Sequence, residues 1–264
     1  MHGYEPSTYG DRFADIYDDW YPEHDTTAAT LAALMDWTEP GDRVIELGVG
    51  TGRLAIPLAG SAREVWGIDA SATMIERLRA KPGGEAVHAI VGDLGDDLPD
   101  GRFALVYVTA NTFFGLPSAE AQQRCFERVA DRLTEDGRFV IEAFVPAEPV
   151  ATDDGGADND TDERRGRVEV RSMTADCVVL SISRADRGDQ RAEGHHVELR
   201  HGAPVILRPW SVRYATPGQL DGFADAAGLS LASRWADWSA GPFDEASAHH
   251  VSAYRRVPAP SVTQ

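Results

Sequence analysis

From Val44 to Val145 short apolar runs alternate with amphipathic segments: VIEL precedes TGRLAIPLAG, VWGID precedes SATMIERLRAK, AVHAIVGD follows, FALVYVTAN precedes SAEAQQRCFERVADRLT, and RFVIEAFV closes the series. Short β-prone runs separated by helix-length segments cannot pair as successive hairpins. They predict an α/β fold, a parallel sheet with helices on both faces. A chain of 264 residues, 42% of them hydrophobic, suits one such domain, and folding it would remove roughly 75% of the extended-chain surface from water.

After Val145 the pattern breaks. Residues 151–163, ATDDGGADNDTDE, carry six acids and no large apolar side chain, which predicts an acidic mobile loop over 147–166. A solvated insertion is the ordinary reading of such a run; a substrate-gating lid is the alternative. Four strand-like runs follow, RVEVRSM, CVVLSISR, HHVELRH and VILRPWSVRY, without helical period, and predict an antiparallel β ribbon inserted over 167–214. PGQLDGFADAAGL then has helical spacing closed by Gly228, and LSLASRWADW with HHVSAYRR predicts a hairpin at the sheet edge. The expected organisation is therefore an N-terminal helical cap (1–40), a core built from 41–146 and 215–256, the loop, and the insertion.

Charge narrows the partners. A formal net charge of -18 opposes nucleic acid and anionic membrane surfaces, so a small molecule is the expected partner. Nowhere do 18 apolar residues run together, and MHGYEPSTYGDRF lacks a basic region followed by an apolar core, so a soluble, cytoplasmic protein is expected. Cys125 and Cys177 show no CxxC spacing and no neighbouring His cluster, so reduced, packed thiols are expected rather than a disulfide framework or a zinc site. Lys81 is the one lysine among 25 basic residues; this skew toward Arg, with abundant Ala, Gly and Asp, looks like a GC-rich bacterial coding sequence.

ELGVGTG, residues 46–52, stands directly after Val44-Ile45. Glycines between strand and helix let a ligand approach the backbone, and the helix start offers unpaired N–H groups. A dinucleotide fingerprint needs a third glycine where Arg53 stands, and a Walker A loop needs a Gly-Lys-Ser/Thr that is absent. What remains is E-x-G-x-G-x-G, with Asp69 following Glu46 by 23 positions in WGIDASATM. An acid ending the second strand can accept hydrogen bonds from both hydroxyls of a ribose. Alone, either feature is weak; such an Asp is more often a cap or turn residue.

Together they resemble motif I and its partner acid in the class I S-adenosylmethionine-dependent methyltransferases. The resemblance implies a Rossmann-like, seven-stranded, mostly parallel sheet with flanking helices, S-adenosyl-L-methionine as cofactor and S-adenosyl-L-homocysteine as product. It implies cofactor contacts from Glu46, Gly48, Gly50, Gly52, Asp69, Ala70 and Met74. Asp93 would meet the adenine amino group, Leu94 its ring, and Asn111 the methionyl part, with Phe113 and Phe114 beside the acceptor.

Tyr9, Phe13, Tyr17 and Tyr21 recur every four residues in YGDRFADIYDDWY, with Trp20 beside them, and predict one face of a helix. Such a stripe is commonly a packing face. The resemblance implies more: an N-terminal helix over the cofactor cleft, with Tyr9 and Tyr17 bordering both the sulfonium and the acceptor. Tyr9, Tyr17 and Phe114 are thus the expected catalytic residues. Arg12 would meet the cofactor carboxylate, or form a surface salt bridge.

Methyl transfer is an in-line displacement, accelerated by positioning and desolvation. An amine must lose its proton before attack, and one of modest pKa is partly neutral at working pH without a dedicated base, whereas a hydroxyl or phenol calls for a His or Glu base in the pocket. His195, His196, His249 and His250 are available but read as strand termini, and none is assigned as a base. No acidic cluster of the magnesium-dependent kind is visible and no metal is expected. YGDRFADIYDDWY, ANTFFGL with RFVIEAFVP, and WSVRYATPGQLDGFADAAGL are also similar to bacterial natural-product N-methyltransferases of antibiotic and aminosugar tailoring. Within these, the resemblance points to a lincosamide N-methyltransferase, whose acceptor would be an N-demethyl lincosamide precursor. An O-methyltransferase and a non-catalytic S-adenosylmethionine-binding protein are the alternatives. A homo-oligomer is expected, with the antiparallel ribbon as the subunit contact.

Overall fold

The computed structural model describes residues 1–22, 25–146 and 166–257; the acidic segment 151–163 lies outside them. Seven strands form the main sheet in the order β10-β11-β5-β4-β1-β2-β3. These are β1 (Arg43–Leu47), β2 (Glu64–Asp69), β3 (His88–Val91), β4 (Phe103–Val108), β5 (Leu133–Phe144), β10 (Leu229–Trp235) and β11 (His249–Arg256). The pairs β1/β2, β1/β4, β2/β3 and β4/β5 are parallel, while β11 runs antiparallel to both β5 and β10. The final pair meets antiparallel as the sequence implied. Of the two, β10 is an edge strand, while β11 lies inside the sheet.

Alternation along the strands divides the core in two. Ile45, Leu47, Val106 and Val108 face α6 (Ala119–Arg132) and α7 (Pro217–Ala226), while Val44, Leu105 and Tyr107 face α3 (Asp25–Asp36), α4 (Ala55–Ala59) and α5 (Ala72–Ala80). Helix starts follow their caps. Ser71 and Ser118 accept from the N–H groups of Met74 and Ala121, and Thr216 with Gln219 forms a capping box behind Pro217.

The insertion is a separate four-stranded antiparallel sheet, β6 (Arg167–Met173), β7 (Cys177–Asp186), β8 (Arg191–Arg200) and β9 (Ile206–Arg213), in sequential order. It is not hydrogen-bonded into the main sheet; β9 packs against α1 (Thr8–Phe13) and the 3-10 turn Thr112–Gly115. Cys125 is buried, Cys177 is half-buried, and both are free thiols.

The aromatic repeat does not form one helix. α1 stops at Phe13, and α2 (Tyr17–Trp20) starts anew. In a continuous helix the Arg12 carbonyl would accept from Ile16; instead Ile16 N–H bonds Phe13, and the Arg208 guanidinium takes the Arg12 carbonyl and the Asp15 carboxylate. A buried arginine from β9 thus ends the first helix.

Candidate active site

The site lies at the carboxyl ends of the parallel strands, where the sheet order reverses between β1 and β4. Gly48, Gly50 and Gly52 all have positive φ, at 75°, 53° and 83°. Their surroundings differ. A Cβ on Gly48 would lie 2.2 Å from Thr112 Cγ2, and one on Gly52 would press on Ile56 and Leu78 at 2.9 Å. A Cβ on Gly50 would meet only Tyr17 Cε1, at 3.9 Å. The loop is therefore packed at its ends and open at its middle, beneath the Tyr17 ring.

Asp69 ends β2 and ties this loop to α5. One carboxylate oxygen accepts from Gly50 N–H at 2.9 Å and the other from Ser71 N–H at 2.9 Å. Burial raises its pKa, and the two backbone N–H groups pull the other way. Each oxygen keeps a lone pair for a further donor. Ala70 is half-buried between these anchors.

Glu46 is buried on β1 and accepts from Tyr107 Oη at 3.0 Å. Burial pushes its carboxyl up to about 8, with Tyr107 and Arg53 opposing, so it is largely protonated at neutral pH. Arg53 itself donates to Thr27 on α3 at 2.8 Å.

Beyond β3, Asp93 caps a turn by accepting from Gly95 N–H at 2.8 Å, and Leu94 packs on the first core. Beyond β4, Ala110 and Asn111 are consecutive left-handed non-glycine residues, φ 53° and 65°. β5 secures them: Glu142 Oε2 accepts from Ala110 N–H at 2.9 Å, and Asn111 Oδ1 accepts from Phe144 N–H at 2.7 Å. The Asn111 carboxamide is thus engaged across the strand ends. Phe113 and Phe114 point apart. Phe113 sits in the core with Phe126 and Phe139, and Phe114 is fully buried, edge-on to Phe144.

The cap closes the open side. Tyr9 stacks on Phe13 at 4.2 Å, and Tyr17 lies against Tyr21 at 5.0 Å. Burial, reinforced by the neighbouring phenols of Tyr21 and Tyr17, raises Tyr9 far above the ordinary tyrosine value; burial pushes Tyr17 up to about 12 against the pull of Arg53. The Arg12 side chain is exposed, with no hydrogen bond or ion pair among the described residues. Met74 is buried beneath the cap beside Phe13 and Ala14.

Three contacts that the sequence reading did not single out hold the cap in place. Asp18 accepts from Thr51 Oγ1 of the glycine loop at 2.6 Å and pairs with Lys81 at 2.9 Å. Asp11 accepts from Ser71 Oγ at 2.6 Å. Gly10 lets α1 approach α5 closely, since a Cβ there would lie 2.4 Å from Ser71 Cβ. Gly10 inside the aromatic repeat and the lone lysine were visible signals for two of these; the Asp11–Ser71 bond, like the Arg208 contact, left none.

His195 faces outward on β8, opposite Ile182. His196 is wedged edge-on against Phe13 and Trp20, and His250 bonds Ser252 within β11. Burial lowers both to about 4. Among the described residues no three His, Cys, Asp or Glu side chains gather as a metal site, and no helix is long and apolar enough to cross a membrane.

Residues 44–137 match a family model described as a methyltransferase domain. The cypemycin N-terminal methyltransferase of a Streptomyces species is 30% identical over 146 residues, 54% of this chain and 59% of that protein. The matched part is thus little more than half of that relative. The structure of the CcbJ methyltransferase from Streptomyces caelestis superposes with a TM-score of 0.85 at 32% identity, covering 97% of this chain and 100% of that one. The sugar N-methyltransferase KedS8 from a Streptoalloteichus species shares the fold, with a TM-score of 0.65 at 17% identity, covering 97% and 99%. With full-length similarity to CcbJ and the glycine loop, partner acid and strand order in place, the chain belongs to the class I S-adenosylmethionine-dependent methyltransferases.

Proposed function

We propose that the protein transfers a methyl group from S-adenosyl-L-methionine to a nitrogen of a small-molecule natural product, with an N-demethyl lincosamide precursor as acceptor. The observation that carries the nitrogen is the state of the cap's phenols. With Tyr17 up to about 12 and Tyr9 higher still, both remain neutral at working pH. A neutral phenol donates or accepts a hydrogen bond but removes no proton. His196 and His250, the imidazoles kept neutral by burial, are engaged in ring packing and within β11. An acceptor at this site must therefore attack without handing a proton to the protein, as the neutral fraction of an amine of modest pKa does, its surplus proton passing to solvent after transfer. The N-methyltransferases among the similar proteins, cypemycin N-terminal methyltransferase and KedS8, support the same reading.

In this reading residues 1–40 form the cap, 41–146 and 215–256 the cofactor-binding core, and 167–214 an insertion that braces the cap. The open face at Gly50 suits a nucleoside lying against backbone, and Asp69 keeps a lone pair on each oxygen for its ribose. Gly48 and Gly52 shape that cradle, and Glu46 holds it from beneath through Tyr107. Ala70, Met74, Asp93 and Leu94 bound the adenine end, with the Asn111 backbone and the free Arg12 guanidinium at the methionyl end. The cofactor, when bound, supplies an electrophilic methyl group on a sulfonium cation. Tyr9 and Tyr17 then exclude water and turn phenol oxygens and ring faces to that cation, an attraction of about 0.5–2 kcal/mol; Phe114 backs the acceptor pocket.

The test is incubation with isotopically labelled methyl donor and a panel of amine and hydroxyl metabolites, read by fragment mass spectrometry. Product one methylene heavier, labelled on nitrogen, is expected. Label on oxygen would establish the O-methyl reading, and cofactor binding without product on any acceptor would refute an enzyme.

A further inference from the structure

The two faces of the β6–β9 sheet have different fates. His196 and Arg208, opposite each other in register, face α1 and α2 and are covered by Phe13, Asp15 and Trp20. The alternate positions face outward: Val168, Val170 and Met173 on β6, Ile182 on β7, Leu199 on β8 and Leu207 on β9. These six are exposed by 38% at Ile182 up to 72% at Met173. That leaves on the order of 600 Å² of apolar surface on these side chains alone, the top of the range for a monomer's largest patch and most of the ~800 Å² per partner of a standard interface.

We propose that this outer sheet face is a two-fold interface with a second copy of the chain. The chain's own remaining segments do not suit it: 151–163 is acidic without a large apolar residue, and 258–264 reads PAPSVTQ. Local charge does not oppose a second copy here. The molecule carries a net charge of -18, yet these six positions carry none, so two copies meet on this face without opposing like charges. A two-fold contact places the same patch on both sides; here the apolar residues occupy one end of the face, with His195 and the Arg184–Glu193 pair at its other end. An anionic membrane as the occupant would leave the chain monomeric in the absence of lipid, an outcome that overturns the proposal. The opposite face of this sheet holds the cap through Arg208, so pairing would brace the cap from behind.

The test is sedimentation velocity on the full chain at tens of micromolar. The wild type is expected at an even multiple of the 28.6 kDa chain mass, and Val170→Asp with Met173→Glu at half that mass or less, with unchanged far-ultraviolet circular dichroism. A monomeric wild type, or a folded double variant of unchanged mass, overturns the proposal. Should the double variant not fold, amide exchange of the wild type across a dilution series decides. Protection in β6 and β7 that rises with concentration supports the interface; concentration-independent exchange throughout these strands overturns it.

Discussion

Asp69 does two jobs with one carboxylate, anchoring Gly50 and Ser71 while facing the cleft. Asp69→Ala should weaken S-adenosylmethionine binding by about 1–3 kcal/mol, roughly 5- to 150-fold, and lower the melting temperature, because two backbone donors lose their partner. Calorimetric titration beside thermal melting reads both; unchanged affinity in a folded variant would remove the ribose role. Tyr9→Phe and Tyr17→Phe should keep the buried rings and lose the oxygens. Steady-state kinetics should show turnover falling about tenfold or more, with cofactor affinity changing far less. Wild-type kinetics in both variants would return these residues to packing alone.

Glu46 makes a pH prediction whose sign is set by burial. Its folded value is raised to about 8 from an ordinary 4.5, so between these values the native state holds a proton that the unfolded chain has released. Stability contributed by this group is present below about 4.5 and is lost as pH rises toward 8. Glu46→Gln, which is always neutral, should flatten that slope between pH 5 and about 8 in melting curves. A slope identical to wild type would place the titration elsewhere.

Among the elements, the cap is held by contacts distant in sequence. Arg208 reaches Asp15 at 2.6 Å across 193 residues, and Asp18 reaches Lys81 at 2.9 Å across 63. Arg208→Ala removes the bond that ends α1 and the packing of the guanidinium on Phe13; a loss of about 2–3 kcal/mol is expected. Gly10→Ala should loosen the same cap by collision with Ser71. In either variant trypsin should cleave after the exposed Arg12 several-fold faster than in wild type, with the main sheet intact by circular dichroism. Equal cleavage rates would mean that the cap is held by other contacts.

For the whole molecule, a net charge of -18 on 264 residues opposes compaction by self-repulsion. Raising monovalent salt from about 20 to 200 mM shortens the screening length severalfold, and the melting temperature should rise by a few degrees. A fall would mean that ion pairs such as Lys81–Asp18 outweigh the net repulsion.

The parallel sheet was legible because alternation of apolar runs and amphipathic segments is a local signal that pairing must obey. The glycine loop and Asp69 were legible for a related reason, since backbone that needs positive φ restricts residue type directly. The aromatic repeat misled about continuity: its four-residue spacing is helical, but the break after Phe13 comes from Arg208, far along the chain. Phe113 and Phe114 show the same lack, since neighbours in a 3-10 turn face different surroundings only once β5 and α6 are in place.

By itself, then, the sequence determined the α/β class, the glycine turn between the first strand and its helix, and the acid that secures that turn, because each depends on residues close together in the chain. Tertiary structure alone decided that the insertion is a sheet of its own, that one face holds the cap while the other presents apolar side chains outward, and that the cap's phenols remain neutral. Those outcomes depend on burial and on partners brought together only by folding, and no local pattern encodes them.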